Sequence, residues 1–442
     1  MKNMSLKEIA AACGGTYHGD PALLSKEASS VAIDSRKVQK DTLFVAIKGA
    51  RVDGHSFIPQ VMDQGAICSL SEQDLGDVTY PYIQVASCTE ALKDLAEHYR
   101  RSLDIKVVGI SGSVGKTSTK EMIASVLSEK YCVLKTEGNF NNEIGLPLTV
   151  FNLREEHEVA VLEMGISDFG EMDRLSKIAQ PDISVITNIG LCHLENLKTR
   201  DGILKAKTEI FNNMKPDGIA ILNGDDDKLI TVDEVNGKKP ERFGINYKDG
   251  VYAKDIENLG LSGTKFVISG LNCVDGCKDF EVTVPVPGHH MIYNALAAAC
   301  VGAALELTSA QIADGIADLK TISGRNNIIK TSKYTLIDDC YNANPVSMKA
   351  SVDVLDMAIG RKVCILGNMY ELGENEKNLH YDVGQYIGTK NIDVLITIGD
   401  LARHIAMGTD DYMETHFGSY DCEIHSFDDM EEFNMAYSSI LK

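Results

Sequence analysis

The sequence predicts an α/β protein of three domains: a small N-terminal α/β domain, a central domain with a mostly parallel sheet and a phosphate-binding loop, and a C-terminal Rossmann-like domain. The first reason is length, because 442 residues at about 150 residues per domain suggest three. The second is an alternation of short apolar runs with amphipathic stretches, which is typical of a parallel sheet covered on both faces. The third is a glycine-rich loop placed between one such run and one such stretch.

The strands of the central domain are predicted by four runs that are rich in Val and Ile and end in Gly, Asn or Asp: VVGI (107–110), VAVLEMG (159–165), ISVITNIG (183–190) and GIAILNGDDD (218–227). Residues 116–127 predict a helix, since Met122, Ile123, Val126 and Leu127 fall on one helical face. The same rhythm returns in YTLIDDCYNANP (334–345), KVCILGNM (362–369) and VLITIGD (394–400). These three runs predict the strands of a second, smaller doubly wound domain.

The first 85 residues differ in texture from the rest of the chain. Short strand-like runs at 43–49 and 82–86 are interrupted by turns, which predicts a separate small α/β domain. The predicted domain bounds are therefore 1–86, 87–322 and 323–442.

Composition excludes several classes of partner. The formal net charge is −21 and the pI is about 4.9, which argues against nucleic acid or an anionic membrane as the main partner. The eleven cysteines form no paired framework, and Cys273 and Cys277 lack a second pair for a zinc site. The longest apolar run, 295–305, is shorter than the ~20 residues of a membrane span. With no signal-peptide pattern at the N-terminus, we expect a soluble, cytoplasmic protein with reduced thiols, and nothing demands more than a monomer.

The sharpest chemical signal is GISGSVGKTSTKEM (109–122), which follows a predicted strand and precedes a predicted helix. Gly112 and Gly115 allow backbone N–H groups to turn toward a phosphate chain, Lys116 reaches its outer phosphates, and the Thr117 hydroxyl is a ligand for Mg²⁺. Ile110 stands where the usual P-loop pattern has glycine, so the loop is the shorter Gly-x-x-Gly-Lys-Thr form. The pattern predicts that the protein binds ATP or GTP, through Gly112, Ser113, Gly115, Lys116, Thr117 and Ser118.

Further oxygen ligands for a nucleotide-bound metal are expected at the carboxyl ends of neighbouring strands. Glu163 and Asn188 end two of the predicted strands, and His193 follows soon after. Taken singly, a Glu or a His at a strand end is more often a solvated or capping residue. Their shared position beside the phosphate-binding loop predicts a metal site.

Several motifs together resemble those of the Mur ligases, which make peptidoglycan precursors by ATP-dependent amide formation. The resemblance of the central region rests on GSVGKTSTK, NFNNEIGLP (139–147), VLEMG (161–165), NIGLCHLE (188–195) and AKTEI (206–210). The motifs SGR (323–325), DDCYNANP (338–345) and LGNMYELGE (366–374) are similar to those of the members that add D-alanyl-D-alanine to UDP-N-acetylmuramoyl-tripeptide. DSRKV (34–38) and LFVAIKGARVDGHSFI (43–58) resemble the UDP-binding domain of the same family.

The resemblance implies that ATP phosphorylates the tripeptide carboxylate and that the dipeptide amine attacks the resulting acyl phosphate. It implies catalytic roles for Lys116, Glu163, His193, Lys207 and Arg325, and Mg²⁺ ligands at Thr117, Glu163, His193 and Lys207. Lys207 would act as a carbamate formed with CO₂, and the Ala-Lys-x-Glu-Ile spacing selects it over Lys205. Taken alone, Lys207 is an ordinary helical lysine.

The resemblance also implies nucleotide contacts from Asn223, His290 and Asn294, a γ-phosphate contact from Arg325 and a ribose contact from Asp339. Because the last two belong to the C-terminal domain, the site would be complete only when the domains close. Met291 stands where relatives usually have Asn, which leaves the adenine contacts open.

The substrate contacts implied by the resemblance are Asp34, Ser35, Arg36, Asn142, Asn342 and Asn344. Pro345 disfavours a helical backbone at Asn344, so a structural role in the loop is an equal alternative. Asn368 replaces a usual aspartate and loses its charge. Lys40-Asp41 replaces a usual glycine turn near the predicted uridine site.

Two other functions remain open from the sequence. One is a related ATP-dependent carboxylate–amine ligase that uses a different amine. The other is a nucleotide-binding regulatory protein without ligase activity, which only Met291 and Asn368 favour. The third residue of the stem peptide is not encoded in any motif of the sequence.

Overall fold

The computed structural model describes residues 1–416 and 422–441. Residues 1–101 contribute five strands and three helices: β1 (Thr16–His18), β2 (Ser30–Ala32), β3 (Thr42–Val45), β4 (Cys68–Ser71), β5 (Tyr82–Gln84), α1 (Leu6–Ala12), α2 (Ile58–Asp63) and α3 (Cys88–Arg101). The strands form a sheet in the order β1-β5-β4-β3-β2, in which only β1 runs antiparallel to its neighbour. The predicted strands at 43–49 and 82–86 are confirmed as β3 and β5.

The nucleotide-binding region follows. Residues 106–317 contribute nine strands and seven helices: β6 (Lys106–Ser111), β7 (Val133–Lys135), β8 (Val159–Glu163), β9 (Ile183–Ile186), β10 (Ile219–Asn223), β11 (Glu241–Gly244), β12 (Val251–Asn258), β13 (Thr264–Ser269), β14 (Asp279–Val284), α4 (Lys116–Ser128), α5 (Gly145–Val150), α6 (Glu171–Ala179), α7 (Leu194–Leu197), α8 (Arg200–Thr208), α9 (His290–Ala304) and α10 (Ser309–Ala317). The sheet order is β14-β13-β12-β11-β10-β9-β6-β8-β7. Strands β6 to β12 are parallel to one another. Strand β13 pairs antiparallel with both β12 and β14. The four predicted strands and the predicted helix are confirmed as β6, β8, β9, β10 and α4.

Alternation along the strands explains how both faces of this sheet are covered. In β6, Val107 faces one core, while Val108 and Ile110 face the other. The apolar face predicted for α4 is fully buried in the second core, together with α9 and α10. Each large aliphatic side chain buried in this way contributes about 1.5–3 kcal/mol.

The C-terminal region forms two small sheets. The described residues beyond 323 contribute five strands and four helices: β15 (Asn327–Lys330), β16 (Thr335–Asp338), β17 (Val363–Leu366), β18 (Val394–Ile398), β19 (Glu423–Phe427), α11 (Pro345–Asp356), α12 (Glu376–Gly388), α13 (Arg403–His416) and α14 (Met430–Ile440). Strands β17, β18 and β19 form a parallel sheet, and β15 pairs with β16 in an antiparallel hairpin.

The hairpin corrects one prediction. The run 334–345 was expected to join the parallel sheet, but its strand β16 pairs with β15 instead. The cause is a tight turn, in which the Thr331 hydroxyl accepts hydrogen bonds from the N–H groups of Lys333 and Tyr334. The third parallel strand is β19, near the end of the chain.

The buried cores join the N-terminal sheet to the central sheet but leave the C-terminal parallel sheet on a separate core. The N-terminal sheet and one face of the central sheet share a continuous core, to which Leu43 and Leu162 both belong. The Met1 ammonium group also donates a hydrogen bond to the Phe151 carbonyl at 2.7 Å. The parallel sheet of the C-terminal region packs on a core of its own, so this region can move as a unit. The bounds 1–86, 87–322 and 323–442 stay a prediction.

Two expectations from composition can be compared with the structure. All eleven cysteines are free thiols in this structure, and the expected reducing compartment stays a prediction. Among the described residues, no helix is both long enough and apolar enough to cross a membrane.

Candidate active site

The phosphate-binding loop joins β6 to α4. Gly112 has a φ of +146°, and a Cβ there would lie 1.9 Å from the Thr187 hydroxyl oxygen, so the position requires glycine. Gly115, with a φ of +82°, is the N-cap of α4, and no described side chain caps that helix. Its first N–H groups are therefore available to an anion. The Lys116 ammonium group donates to the Gly112 carbonyl at 2.8 Å across the loop.

The end of β9 holds this loop in shape. The Asn188 side chain accepts from the Val114 N–H at 3.0 Å and donates to the Val114 carbonyl at 2.9 Å. The Thr187 hydroxyl donates to the same carbonyl at 2.7 Å. Asn188, expected among the oxygen ligands, therefore positions the loop in this structure. The Ser113 hydroxyl, on the other side, lies 3.2 Å from the Cys192 thiol.

Glu163 ends β8 directly beside the first turn of α4. Its Oε1 accepts from the Thr117 hydroxyl at 3.3 Å and from the Asn141 amide at 2.8 Å. Its Oε2 is buried and has no hydrogen-bond partner among the described residues, and the Lys120 ammonium group lies 3.9 Å from it. A buried carboxylate oxygen without a hydrogen bond, next to a hydroxyl, is suited to a hard cation such as Mg²⁺.

Lys207 and His193 lie near this edge of the sheet. Lys207 is 1% exposed, and its ammonium group forms no hydrogen bond or ion pair with any described residue. Burial, and then the Lys116 ammonium group, lower the pKa of Lys207 to about 7. Lys205, on the same helix, is exposed. Burial therefore favours Lys207 over Lys205, as the sequence motif does.

His193 precedes α7 with a φ of +50°. Burial lowers the pKa of its ring, against the effect of the Glu371 carboxylate, and the Lys207 and Lys116 ammonium groups add to the lowering. The described residues contain no cluster of three or more His, Cys, Asp or Glu that is placed to hold a metal. The protein's own donor set at this edge is therefore incomplete until other oxygens are added.

The residues expected at the nucleoside end lie on β10 and α9. The Asn223 amide donates to the Thr187 carbonyl at 3.1 Å. Asn294 accepts from the Thr119 hydroxyl at 3.0 Å, and its amide lies 3.3 Å from the Met291 sulfur. The unusual Met291 thus serves as a partner for Asn294. Burial lowers the pKa of His290, and the Asp339 carboxylate from the C-terminal region opposes that effect.

Arg325 and Asp339 meet the central sheet at a cleft. Arg325 and Asn326 line a small cavity together with Ser118 and Met291. The Arg325 guanidinium lies 4.2 Å above the Tyr341 ring. Asp339 accepts from the Asn326 N–H at 3.1 Å and from the Ser351 hydroxyl. Two of the predicted C-terminal residues therefore lie within reach of the phosphate-binding helix and of His290.

Three Mur ligase domain profiles match the chain in order: the Mur ligase family catalytic domain over residues 27–100, the Mur ligase middle domain over 110–302, and the Mur ligase glutamate ligase domain over 324–441. The curated UDP-N-acetylmuramoyl-tripeptide–D-alanyl-D-alanine ligase of Bacillus subtilis is 38% identical over 413 residues, which are 92% of this chain and 88% of that protein. The chain belongs to the Mur ligase family.

Other relatives are similar to this Mur ligase, in sequence or in structure, over nearly the whole length of the chain. The Escherichia coli ligase of the same name is 35% identical over 92% of this chain and 88% of its own. A crystal structure of MurF from Acinetobacter baumannii superposes with a TM-score of 0.87 at 30% identity, covering 99% of this chain and 98% of that one. The MurF ligase of Thermotoga maritima in complex with ADP superposes with a TM-score of 0.77 at 29% identity, covering 93% and 96%.

The predicted UDP-binding residues of this Mur ligase lie on an exposed turn. The Asp34 carboxylate accepts from the Arg36 guanidinium at 2.8 and 2.9 Å, and Ser35 lies between them. The next residue, Lys37, places its ammonium group 5.9 Å above the Phe140 ring, beside the Asn141 that contacts Glu163. Asp41 adopts a left-handed φ of +61°, so the turn forms with an aspartate where relatives usually have a glycine.

Three further asparagines have local partners. Asn142 accepts from the N–H groups of Ile144 and Gly145 at the start of α5. Asn344 caps α11 by accepting from the N–H groups of Val346 and Ser347, which is the structural alternative that the sequence left open. Asn342 is exposed and accepts from its neighbour Ala343. Substrate contacts from these asparagines stay predictions.

The sequence interpretation missed Lys120, Asn141 and Glu371. Lys120 is 1% exposed and donates to the Thr136 carbonyl at 2.6 Å; its spacing of four residues from Lys116 on one helix was the available signal. Asn141 lies beside the predicted Asn142 in the same motif. Glu371 reaches His193 from another domain, and no local pattern indicates that contact.

Proposed function

We propose that this Mur ligase uses ATP to join D-alanyl-D-alanine to UDP-N-acetylmuramoyl-tripeptide, in the cytoplasm and as a monomer. The observation that carries the proposal is the meeting of three features at one edge of the central sheet. They are the phosphate-binding loop, a buried carboxylate with one oxygen that forms no hydrogen bond, and a buried amine that has no partner, the last two judged over the part of the chain that the structure describes. Relatives that carry this activity in their names match at least 85% of the chain in several cases, and a MurF relative binds ADP.

The reaction has two covalent steps. An oxygen of the tripeptide's terminal carboxylate attacks the γ-phosphorus of ATP, the bond to ADP breaks, and an acyl phosphate forms. The dipeptide amine then attacks the carbonyl carbon, loses a proton and expels inorganic phosphate as the amide bond forms. The main obstacle is the approach of two anions, so charge neutralisation and positioning supply most of the catalysis.

The residues at the sheet edge divide this work. Lys116 and the free N–H groups at the start of α4 bind the outer phosphates of ATP. Thr117, Glu163 and His193 would hold Mg²⁺, and the oxygen of Glu163 that lacks a hydrogen bond among the described residues supports this assignment. The ion would supply positive charge to neutralise the phosphoryl group and the attacking carboxylate.

Lys207 joins this site after carbamylation. Its ammonium group first loses a proton; the neutral amine then adds to the carbon of CO₂ and releases a second proton, which leaves a carbamate anion beside the metal ligands. The support is its near-complete burial without any partner among the described residues, because a lysine left as a bare ammonium group there would pay the full desolvation cost. A carbamate also supplies an oxygen to the incomplete donor set.

The remaining contacts come from all three domains. Arg325 contacts the γ-phosphate and Asp339 the ribose, while Asn223, His290 and Asn294 surround the base. Asp34, Ser35 and Arg36 bind the UDP moiety, and Asn142, Asn342 and Asn344 contact the peptide substrates. Three domains with bounds 1–86, 87–322 and 323–442 close on these ligands, because each holds only part of the site.

The decisive experiment mixes purified protein with UDP-tripeptide, ATP, Mg²⁺ and D-alanyl-D-alanine and records a mass spectrum of the product. We expect the UDP-pentapeptide, its loss in Lys116→Ala, and little product when other amino acids or dipeptides replace D-alanyl-D-alanine. Preference for another amine would indicate a different ligase of the superfamily, and no product with any amine would refute ligase activity. For Lys207, ¹³C-labelled bicarbonate should give a carbamate resonance that Lys207→Arg lacks.

A further inference from the structure

Glu371 is a carboxylate of the C-terminal region that reaches into the central domain. Its Oε2 lies 2.8 Å from His193 Nδ1, across the boundary between two regions with separate cores. His193 is the residue proposed above to hold Mg²⁺, and it lies near Lys116 and Lys207. A group outside the central domain therefore completes the surroundings of this histidine.

The loop that carries Glu371 is anchored on both sides. Met369 is fully buried and Leu372 is 2% exposed, both in the C-terminal core. The Met369 N–H donates to Nε2 of the buried His380 at 2.8 Å, and Nδ1 of that ring lies 2.7 Å from the Glu376 carbonyl. Glu371 lies between these anchors, with its side chain 64% exposed. The loop is thus held firmly while Glu371 points outward.

The backbone at both partners is unusual. His193 has a φ of +50° and Glu371 a φ of +62°, in the left-handed region that only a few per cent of non-glycine residues adopt, histidine more often than glutamate. Such conformations persist only when the surrounding structure imposes them, and they are frequent at functional sites. An exposed ion pair contributes little to stability by itself, so stability alone does not account for this arrangement.

We propose that Glu371 is a positioning residue that orients His193 for metal binding. By accepting a hydrogen bond from Nδ1–H, the carboxylate selects the tautomer whose Nε2 lone pair is free, which is how histidine ligands are commonly oriented. The inference rests on the proposed function, because it takes His193 as a metal ligand. Since Glu371 belongs to a separately packed region, it also makes the metal site dependent on domain closure.

Mn²⁺ is a suitable probe, because free Mn²⁺ is measured directly by electron paramagnetic resonance. The full chain is titrated with Mn²⁺ in the presence of a non-hydrolysable ATP analogue and bicarbonate, and the relevant site is the one that His193→Ala weakens. We expect Glu371→Ala to weaken that site by about 10- to 100-fold. Glu371→Gln should recover part of the affinity, since its amide oxygen still accepts a hydrogen bond. Glu374→Ala, an exposed carboxylate of the same loop, is the matched control and should bind as the wild type does.

A double variant separates positioning from direct ligation. If Glu371 acts through His193, the His193→Ala/Glu371→Ala protein binds Mn²⁺ no more weakly than His193→Ala alone. A further loss in the double variant would make Glu371 a metal ligand and overturn the proposal, as would wild-type affinity in Glu371→Ala. Thermal unfolding midpoints of all variants verify that they fold. Product formation by the wild type tests the proposed function separately, so an active wild type with unchanged Mn²⁺ binding in Glu371→Ala refutes only this inference.

Discussion

Lys207 is predicted to reduce the stability of the unmodified protein, although its carbamate is needed in the site. A buried amine without a partner is costly when protonated, and the structure leaves it 1% exposed. Replacement by Met, which has a similar length and no charge, should therefore stabilise the CO₂-free, ligand-free protein at neutral pH while abolishing amide formation. Stabilisation with loss of activity is typical of functional positions.

The magnitude follows from the pKa values in the two states. The pKa of Lys207 is about 7 in the folded protein, against an ordinary value of 10.5. Between these values the unfolded chain binds more protons, so the free energy of unfolding rises with pH. With about 1.4 kcal/mol per pKa unit, this one group should raise the free energy of unfolding by about 2 kcal/mol between pH 7 and pH 9.

The assay is urea unfolding of the wild type, Lys207→Met and Lys205→Met at pH 7 and pH 9 in CO₂-free buffer. Other titrating groups change the free energy of unfolding of all three proteins by the same amount. The difference between the variants therefore gives the contribution of Lys207 alone. Lys205 is the matched control, because it lies two residues earlier on the same helix and is exposed. We expect the wild type and Lys205→Met to gain about 2 kcal/mol more than Lys207→Met between the two pH values.

If the free energy of unfolding rose equally in all three proteins between pH 7 and pH 9, the predicted cost of burying Lys207 would be refuted. That result would mean that the Lys207 ammonium group is solvated or paired in the folded protein. A Lys207→Met protein less stable than the wild type at pH 7 would lead to the same conclusion. Carbamylation would then have to proceed from an ordinary lysine.

Three other perturbations have defined outcomes. Gly112→Ala places a methyl group against the Thr187 hydroxyl, so calorimetry should show ADP affinity reduced at least about 10-fold; unchanged affinity would contradict the required glycine. Glu163→Gln keeps the shape but not the charge, and we expect amide formation reduced about 100-fold or more with ADP binding retained, whereas near-normal turnover would exclude Glu163 from the metal site. Asn344→Ala removes the cap of α11 and should cost about 1 kcal/mol in urea unfolding; no change in stability would leave substrate binding as its only role.

Much of the central domain was predictable because its signals are local. The strand β6, the loop with Gly112 and Gly115, and the apolar face of α4 lie within some twenty residues, and each follows from periodicity or from backbone freedom. The resemblance to a known family then placed Lys207, which has no local signal of its own. Beyond residue 323 local reasoning was less successful, because the run 334–345 has the composition of a parallel strand and only the turn at Thr331 directs it back onto β15.

The sequence by itself determined the chemistry available to this protein: a phosphate-binding loop, strand-end Glu163, and the motifs of a Mur ligase. Only the tertiary structure decided how these groups are used. Within residues 1–416 and 422–441, it left one oxygen of Glu163 without a hydrogen bond and Lys207 without a partner. It also used the side chains of Asn188 and Asn344 to bind backbone groups and brought Glu371 to His193. The physical reason is that residue type and spacing specify hydrogen-bonding capacity and local conformation, whereas burial and partners depend on contacts between segments far apart in the chain.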